Sequence, residues 1–127
     1  MDEIGLGERE LEVMAWLWAN DSGTVNEVRD GLDAPLAYTT VLTILRNLES
    51  KGYLRREEEG RAHRYFPRVQ QRAERRRTLR RVIDSLFRGS PEALIAHLVD
   101  DHGVSPDELR RVARRLSERK RGKEGGT

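Results

Sequence analysis

Apolar residues along this chain return every three to four positions, alternate briefly in the middle, and then resume helical spacing. Leu6, Leu11, Val13, Met14, Leu17 and Trp18 share one broad face of a helix predicted over residues 8–19. Glu8, Glu10 and Glu12 lie near its start, where the helix dipole favours negative charge. Trp18 reads as core; Trp16 projects from another side, where it could cover the dimer segment or, as expected, serve ordinary packing. Asn20, Asp21, Ser22 and Gly23 form a turn cluster. Thr24, with Glu27 three residues on, has the spacing of a capping box and opens a short second helix lined by Val25, Val28 and Leu32. Gly31 weakens the end of that helix, and Ala34 before Pro35 closes it. A third helix is predicted over residues 37–51, stopped at Gly52.

Two strand-like runs follow, residues 53–57 and 62–66, with a hairpin tip at residues 58–61 and Pro67 ending the second. Helical spacing then returns over residues 70–87, with few apolar positions and many arginines, until Gly89 breaks it. Ser90, Pro91 and Glu92 cap the next helix, whose apolar face is Leu94, Ile95, Leu98 and Val99. After a turn at Asp101, His102 and Gly103, Ser105 and Glu108 repeat the capping-box spacing ahead of Leu109, Val112, Ala113 and Leu116. The order is three helices, a hairpin and three helices. The fold class is mainly α with a small β-hairpin wing: a winged helix-turn-helix over residues 1–69, then a helical dimerisation segment over residues 70–118. Residues 119–127, charged and Gly-rich, are expected to be a disordered tail. In the winged-helix order, the second helix of the helix-turn-helix enters the major groove and the hairpin lies on the neighbouring backbone.

Composition narrows the chemistry. The chain has no cysteine, which excludes disulfides, thiolate metal sites and cysteine nucleophiles. No apolar run reaches the ~18 residues of a membrane span, and the acidic first residues do not resemble a signal peptide, so the cytoplasm is expected, with no membrane insertion. Charged residues make up 36% of the chain, well above the ~25% of an average protein, which points to a large partner-facing or solvated surface. The charge is uneven. Residues 1–34 carry nine acids and two bases, whereas residues 35–82 carry thirteen bases and five acids. A basic middle on a nearly neutral chain is the footprint of a polyanion partner, or else an arginine-rich solvated surface.

The third helix separates these readings. Tyr38, Val41, Ile44, Leu45 and Leu48 share its apolar face, while Thr39, Thr40, Thr43, Arg46, Asn47 and Ser50 share the opposite one. That opposite face holds no acid, although the chain has 22. Short hydroxyls plus a guanidinium and an amide suit close approach to phosphates and base edges, threonine adding a methyl for the thymine methyl. The candidate DNA-contacting residues are Tyr38, Thr39, Thr40, Thr43, Arg46 and Asn47. Arg61 and Arg64 in the wing are candidate phosphate clamps, helped by Arg55 or Arg56; the alternative is pairing with Glu57, Glu58 or Glu59 across the hairpin. The arginines of residues 72–81 could touch DNA flanks or merely solvate the helix, and solvation with some electrostatic steering is the expected role. Leu79, Val82, Ile83, Leu86, Phe87, Leu94, Leu98, Leu109, Val112 and Leu116 are candidate dimerisation residues, because short helices in so small a chain cannot bury these faces alone.

Leu36, Ala37, Tyr38, Thr39, Thr40 and Val41, followed by Thr43, Leu45, Leu48, Lys51 and Gly52, resemble the signature of the penicillinase-repressor family, the methicillin-resistance and beta-lactamase repressors. Leu6 to Glu8, Val13, Met14, Leu17 and Trp18 match it in the first helix, and Thr24, Val25, Glu27 and Val28 in the second. Gly60, Arg61, Ala62, Tyr65 and Pro67 match the wing; Leu86, Phe87, Gly89, Ser90 and the Leu94 region match the dimerisation segment. The resemblance implies a homodimer on a palindromic promoter operator, repressing a resistance or stress operon. It also implies induction by a membrane sensor that triggers proteolysis in the C-terminal segment. Family members are cut there at an Asn-Phe bond, and this chain has His97 and Leu98 at that place. Copper-responsive relatives bind metal through C-terminal cysteines, which this chain lacks.

His97 and Asp101, spaced i, i+4, could share a cation, but no third ligand is well placed, so no metal and no cofactor is expected. No nucleophile–base constellation or phosphate-binding glycine loop stands out, and an enzyme is not expected. A protein-interaction module built on a winged helix, or a nonspecific DNA-binding protein, are the alternative readings.

Overall fold

The computed structural model describes residues 6–125. Its elements are α1 (Glu8–Asn20), β1 (Gly23–Thr24), α2 (Val25–Gly31), α3 (Tyr38–Ser50), β2 (Leu54–Glu59), β3 (Ala62–Pro67), α4 (Gln71–Leu86), α5 (Pro91–Asp101) and α6 (Pro106–Gly125). The chain divides into two compact units, residues 1–81 and 82–127. The division falls inside α4, whose first turns are tied to the first unit by the side chains of Glu74 and Arg77.

In the first unit, β1, β3 and β2 form an antiparallel sheet in that order. Gly23 pairs with Tyr65 and Thr24 with Arg64; Leu54 pairs with Pro67 and Glu59 with Ala62. The two-residue strand β1 has no alternation of its own and exists only because β3 offers it an edge. The core is Val13, Met14 and Leu17 of α1, Val25 and Val28 of α2, Val41, Leu45 and Leu48 of α3, with Tyr53, Leu54 and Tyr65 from the wing. Of the expected apolar faces, Leu6, Trp18, Leu32 and Ile44 pack half-buried against this core, while Leu11 is 49% exposed and Tyr38 43%. Leu11 and Tyr38 each sit at the edge of their helix's apolar arc, beyond the width that three packed helices cover.

Local chemistry sets the helix ends. Thr24 Oγ1 accepts from the Glu27 amide at 3.2 Å, and Glu27 Oε1 accepts from the Thr24 amide at 3.1 Å, a complete capping box. Ser105 and Glu108 repeat it at 3.1 Å each way. At the end of α3 the Gly52 amide donates to the Glu49 carbonyl and the Tyr53 amide to the Leu48 carbonyl. This is a Schellman motif, with Gly52 at φ +89°, where any side chain would be strained.

Trp18 Nε1 donates to the Val69 carbonyl at 2.8 Å, fastening α1 beneath the end of the wing. Trp16 lies across α2. A Cβ on Gly31 would meet its Nε1 at 1.9 Å, and a Cβ on Gly23 would meet its Cζ3 at 2.6 Å. Gly31 therefore makes room for the indole, which its helix-weakening character alone did not reveal. Gly31→Ala should destabilise the fold by about 1–3 kcal/mol through overpacking, even though alanine is the better helix former. A thermal melt checks this, and an unchanged or raised Tm would refute it.

The second unit contains the end of α4, then α5 and α6. Ser90 Oγ caps α5 by accepting from the Ala93 amide at 3.1 Å. Phe87 meets the His97 ring at 5.8 Å, and the Val104 amide donates to the Leu98 carbonyl. Among its described residues Ile83 alone is a buried hydrophobic side chain. Where the sequence places a disordered tail from Arg119, α6 continues to Gly125; Arg119, Lys120 and Arg121 are strong helix formers and extend it. Gly126 and Thr127, the end of the expected tail, lie outside the described residues.

Candidate nucleic-acid interface

The buried positions of α3 fix what it presents outward. With Val41, Leu45 and Leu48 fully buried, Thr39, Thr40, Thr43, Arg46, Asn47 and Ser50 all fall on the exposed side. Tyr38, half-exposed, stands at the entry of the helix beside Thr39. Thr43 Oγ1 donates to the Thr39 carbonyl at 2.9 Å. Its proton is spent inside the helix, leaving an acceptor and a methyl to face a partner. The side chains of Thr39, Thr40, Arg46, Asn47 and Ser50 make no hydrogen bond or ion pair among the described residues. Ala37, the N-cap of α3, supplies no side-chain acceptor. The first-turn amides thus keep their donors, and this positive helix end suits a phosphate oxygen.

The wing divides its cations. Arg61, at the exposed tip, has no ion pair or hydrogen bond among the described residues. Arg55 pairs with Glu57 at 2.5 Å and lies 4.3 Å over the Phe66 ring, and Arg56 reaches Glu49 of α3 at 3.4 Å. Arg64 is held most firmly. Its two terminal nitrogens reach Glu27 at 2.8 and 3.1 Å, its Nε and Nη2 reach Glu59 at 3.1 and 3.0 Å, and Nη1 also donates to Ser22. Two carboxylates already occupy the guanidinium expected to clamp phosphate. The physical reason is that the β1–β3 register sets Arg64 opposite Thr24, beside the capping-box Glu27. Arg64 fastens the wing to the start of α2.

These bonds, with the Thr24 amide, hold the Glu27 carboxyl below the usual carboxylate range. A carboxyl depressed in the folded state contributes stability above its unfolded pKa of ~4.3 and loses it as pH falls through the folded value. The wing should therefore loosen from α2 only in acid below about pH 4, seen as faster amide exchange at Thr24 and Arg64. Glu27→Gln should remove that pH dependence, and an unchanged acid response would count against the pairing.

Behind the wing lies a cluster that sequence reasoning missed. Glu74 is buried, 4% exposed, on the inner side of α4. Tyr53 Oη donates to its Oε1 at 3.2 Å, Thr78 donates to the same oxygen, and Arg77 pairs with Oε2 at 2.5 Å while donating to Tyr53 Oη at 2.7 Å. Burial, then the adjacent Glu74 charge, pushes the Tyr53 hydroxyl above its ordinary pKa. The available signal was Glu74 itself, an acid set within a run of arginines.

His97 Nδ1 lies 2.9 Å from Asp101 Oδ2, and the His102 ring stands edge-on to His97 at 5.1 Å. Among the described residues no group of three His, Cys, Asp or Glu side chains is placed to hold a metal, and no helix is long and apolar enough to cross a membrane. Of the residues expected to mediate dimerisation, Leu79, Leu86, Val112 and Leu116 are exposed, Leu86 by 72%; Val82, Phe87, Leu94, Leu98 and Leu109 are half-buried and Ile83 is buried.

Residues 6–118 match the sequence profile of the penicillinase repressor family. The chain is 38% identical over 119 residues to the transcriptional regulator BlaI of Mycobacterium tuberculosis, covering 87% of this chain and 84% of that one. It is 25% identical over 117 residues to the penicillinase repressor of Bacillus licheniformis, covering 91% of each. In structure it resembles a mutant of MarR from E. coli complexed with operator DNA, with a TM-score of 0.54 and 14% identity over 91% of this chain and 76% of that one. That likeness is one of fold, the winged helix.

Proposed function

Because the chain belongs to the penicillinase repressor family, whose members are transcriptional repressors and not enzymes, we propose that it represses as a homodimer on a palindromic promoter operator of a resistance or stress operon. Each subunit lays α3 in the major groove of one half-site. Arg46 and Asn47 face base edges, Tyr38, Thr39, Thr40 and Thr43 face bases and phosphates, and Arg61 at the wing tip grips the flanking backbone. Bound dimer blocks polymerase in the cytoplasm. The observation that carries this reading is the exposed face of α3: polar, free of acid, and unengaged by the rest of the fold.

Dimerisation rests on the second unit. It displays Leu86, Ile95, Val112 and Leu116 to solvent and has almost no buried core of its own. A second copy of these helices would supply the missing apolar neighbours and set two recognition helices about one DNA turn, ~34 Å, apart. Release follows from loss of the dimer, triggered by a membrane sensor or protease acting on the C-terminal segment, where His97 and Leu98 lie within α5. A protein-interaction winged helix would instead need an apolar exposed α3 or wing, and this chain has neither.

A gel-shift with DNA from the protein's own upstream region, across a salt series, tests the proposal beside a Thr40→Ala, Arg46→Ala double variant. Saturable binding that weakens with salt and is lost in the variant is expected. Sequence-blind binding, equal in the variant, would overturn the repressor mechanism.

A further inference from the structure

Among the described residues of the first unit some arginines are paired and others are not, the unpaired ones including Arg46, Arg61 and Arg68 besides a group on α4. Arg9, Arg29, Arg55, Arg56, Arg64 and Arg77 each pair with a carboxylate. On α4, by contrast, Arg72, Arg75, Arg76 and Arg80 are exposed and make no ion pair or hydrogen bond among the described residues. The acid of residues 71–81, Glu74, is buried against Tyr53 and already neutralised by Arg77. Helical geometry turns Glu74 and Thr78 inward and sets Arg72, Arg76 and Arg80 in an outward row, about 6 Å apart at 1.5 Å rise per residue, with Arg75 at its flank.

This row is unfavourable for the isolated helix in two ways. Like charges at i, i+4 repel, by ~0.2–0.5 kcal/mol per pair in isolated helices. Cations in the first turns also oppose the positive end of the helix dipole. A face that merely needed solvent would lose both penalties by interspersing glutamates, as α6 does with Asp107 and Glu108 in its first turn. Three successive unpaired guanidinium groups, interrupted by no exposed acid until Asp84 ends the row one turn after Arg80, fit a polyanion of repeating charge.

We propose that the outward row Arg72, Arg76 and Arg80, with Arg75, is a second DNA-backbone contact surface, engaging phosphates outside the base pairs read by α3. The proposal rests on the DNA-binding reading above and extends its footprint. Each phosphate engaged releases condensed counterions and steepens the fall of affinity with salt.

The test compares wild type with the Arg72→Gln, Arg75→Gln, Arg76→Gln, Arg80→Gln variant on two duplexes from the protein's own upstream region. One holds only the two half-sites; the other extends it by about one turn, ~10 base pairs, on each side. Glutamine keeps the helix propensity of arginine, and a thermal melt confirms that the variant folds. On the long duplex, the slope of log K against log salt should shrink by about 0.9 for each phosphate that is no longer neutralised, roughly 2–4 in all. On the short duplex it should stay unchanged. Equal slopes for variant and wild type on both duplexes would overturn the proposal, as would an equal reduction on both, which would mean general attraction without a flanking contact. If wild type binds neither duplex specifically while an Arg46→Ala control behaves identically, the repressor mechanism fails instead, so the two failures are distinguishable.

Discussion

Placing glutamate at Leu86 and Leu116 should convert the protein to a monomer and weaken operator binding on the order of 10²–10⁴-fold, the gain that tethering a second site ordinarily provides. Both side chains are more than half exposed in the single chain, 72% and 51%. Neither substitution removes a buried contact from the winged helix. The carboxylates would instead be desolvated only where a second copy covers them. The first unit should keep its melting behaviour, and binding to an isolated half-site should persist at its weak intrinsic level. Sedimentation at several concentrations, run beside the gel-shift, gives the answer. A variant that still sediments as a dimer would show that these faces are not the interface.

The second large effect concerns the cluster behind the wing. Arg77→Ala should destabilise the first unit by about 1–3 kcal/mol. Removing one partner of a fully buried pair costs ~3–5 kcal/mol. The figure is discounted because the Arg77 side chain is 49% exposed while that of Glu74 is 5%. The Tm should fall by roughly 4–24 °C at 4–8 °C per kcal/mol. The remaining carboxylate is the source of the penalty, so Glu74→Gln added to Arg77→Ala, which removes the charge but keeps an acceptor for Tyr53 Oη, should restore much of the stability. A double variant no more stable than the single would mean that packing of the arginine stem, not the stranded charge, was at stake.

Much of this architecture was legible because it is written locally. The capping boxes at Thr24 and Ser105 join residues three apart, and the inward row of α3 follows from a 3.6-residue period. The assignment of Thr39, Thr40, Thr43, Arg46 and Asn47 to one exposed side needed nothing beyond that period. What escaped depends on residues distant in sequence. Arg64 is spoken for by Glu27, 37 positions away, and no pattern near either residue announces it. Strand β1 owes its existence to an edge formed forty residues later. Gly31 looks like a helix defect until the indole of Trp16 is placed against it. The exposure of Leu11 and Tyr38 likewise depends on how wide an arc the neighbouring helices cover, which a helical wheel does not contain.

The α3 side chains that face outward are bonded to almost nothing in their own protein. Thr39, Thr40, Arg46, Asn47 and Ser50 can be exchanged with little cost to folding, while the inward Val41, Leu45 and Leu48 cannot. Stability and address are thus inherited on separate faces of one helix. After duplication of the gene, substitutions on the outward face can accumulate as near-neutral changes as far as the fold is concerned. A daughter repressor can drift to a new promoter without passing through an unfolded ancestor, and selection on its regulon alone decides which variants remain.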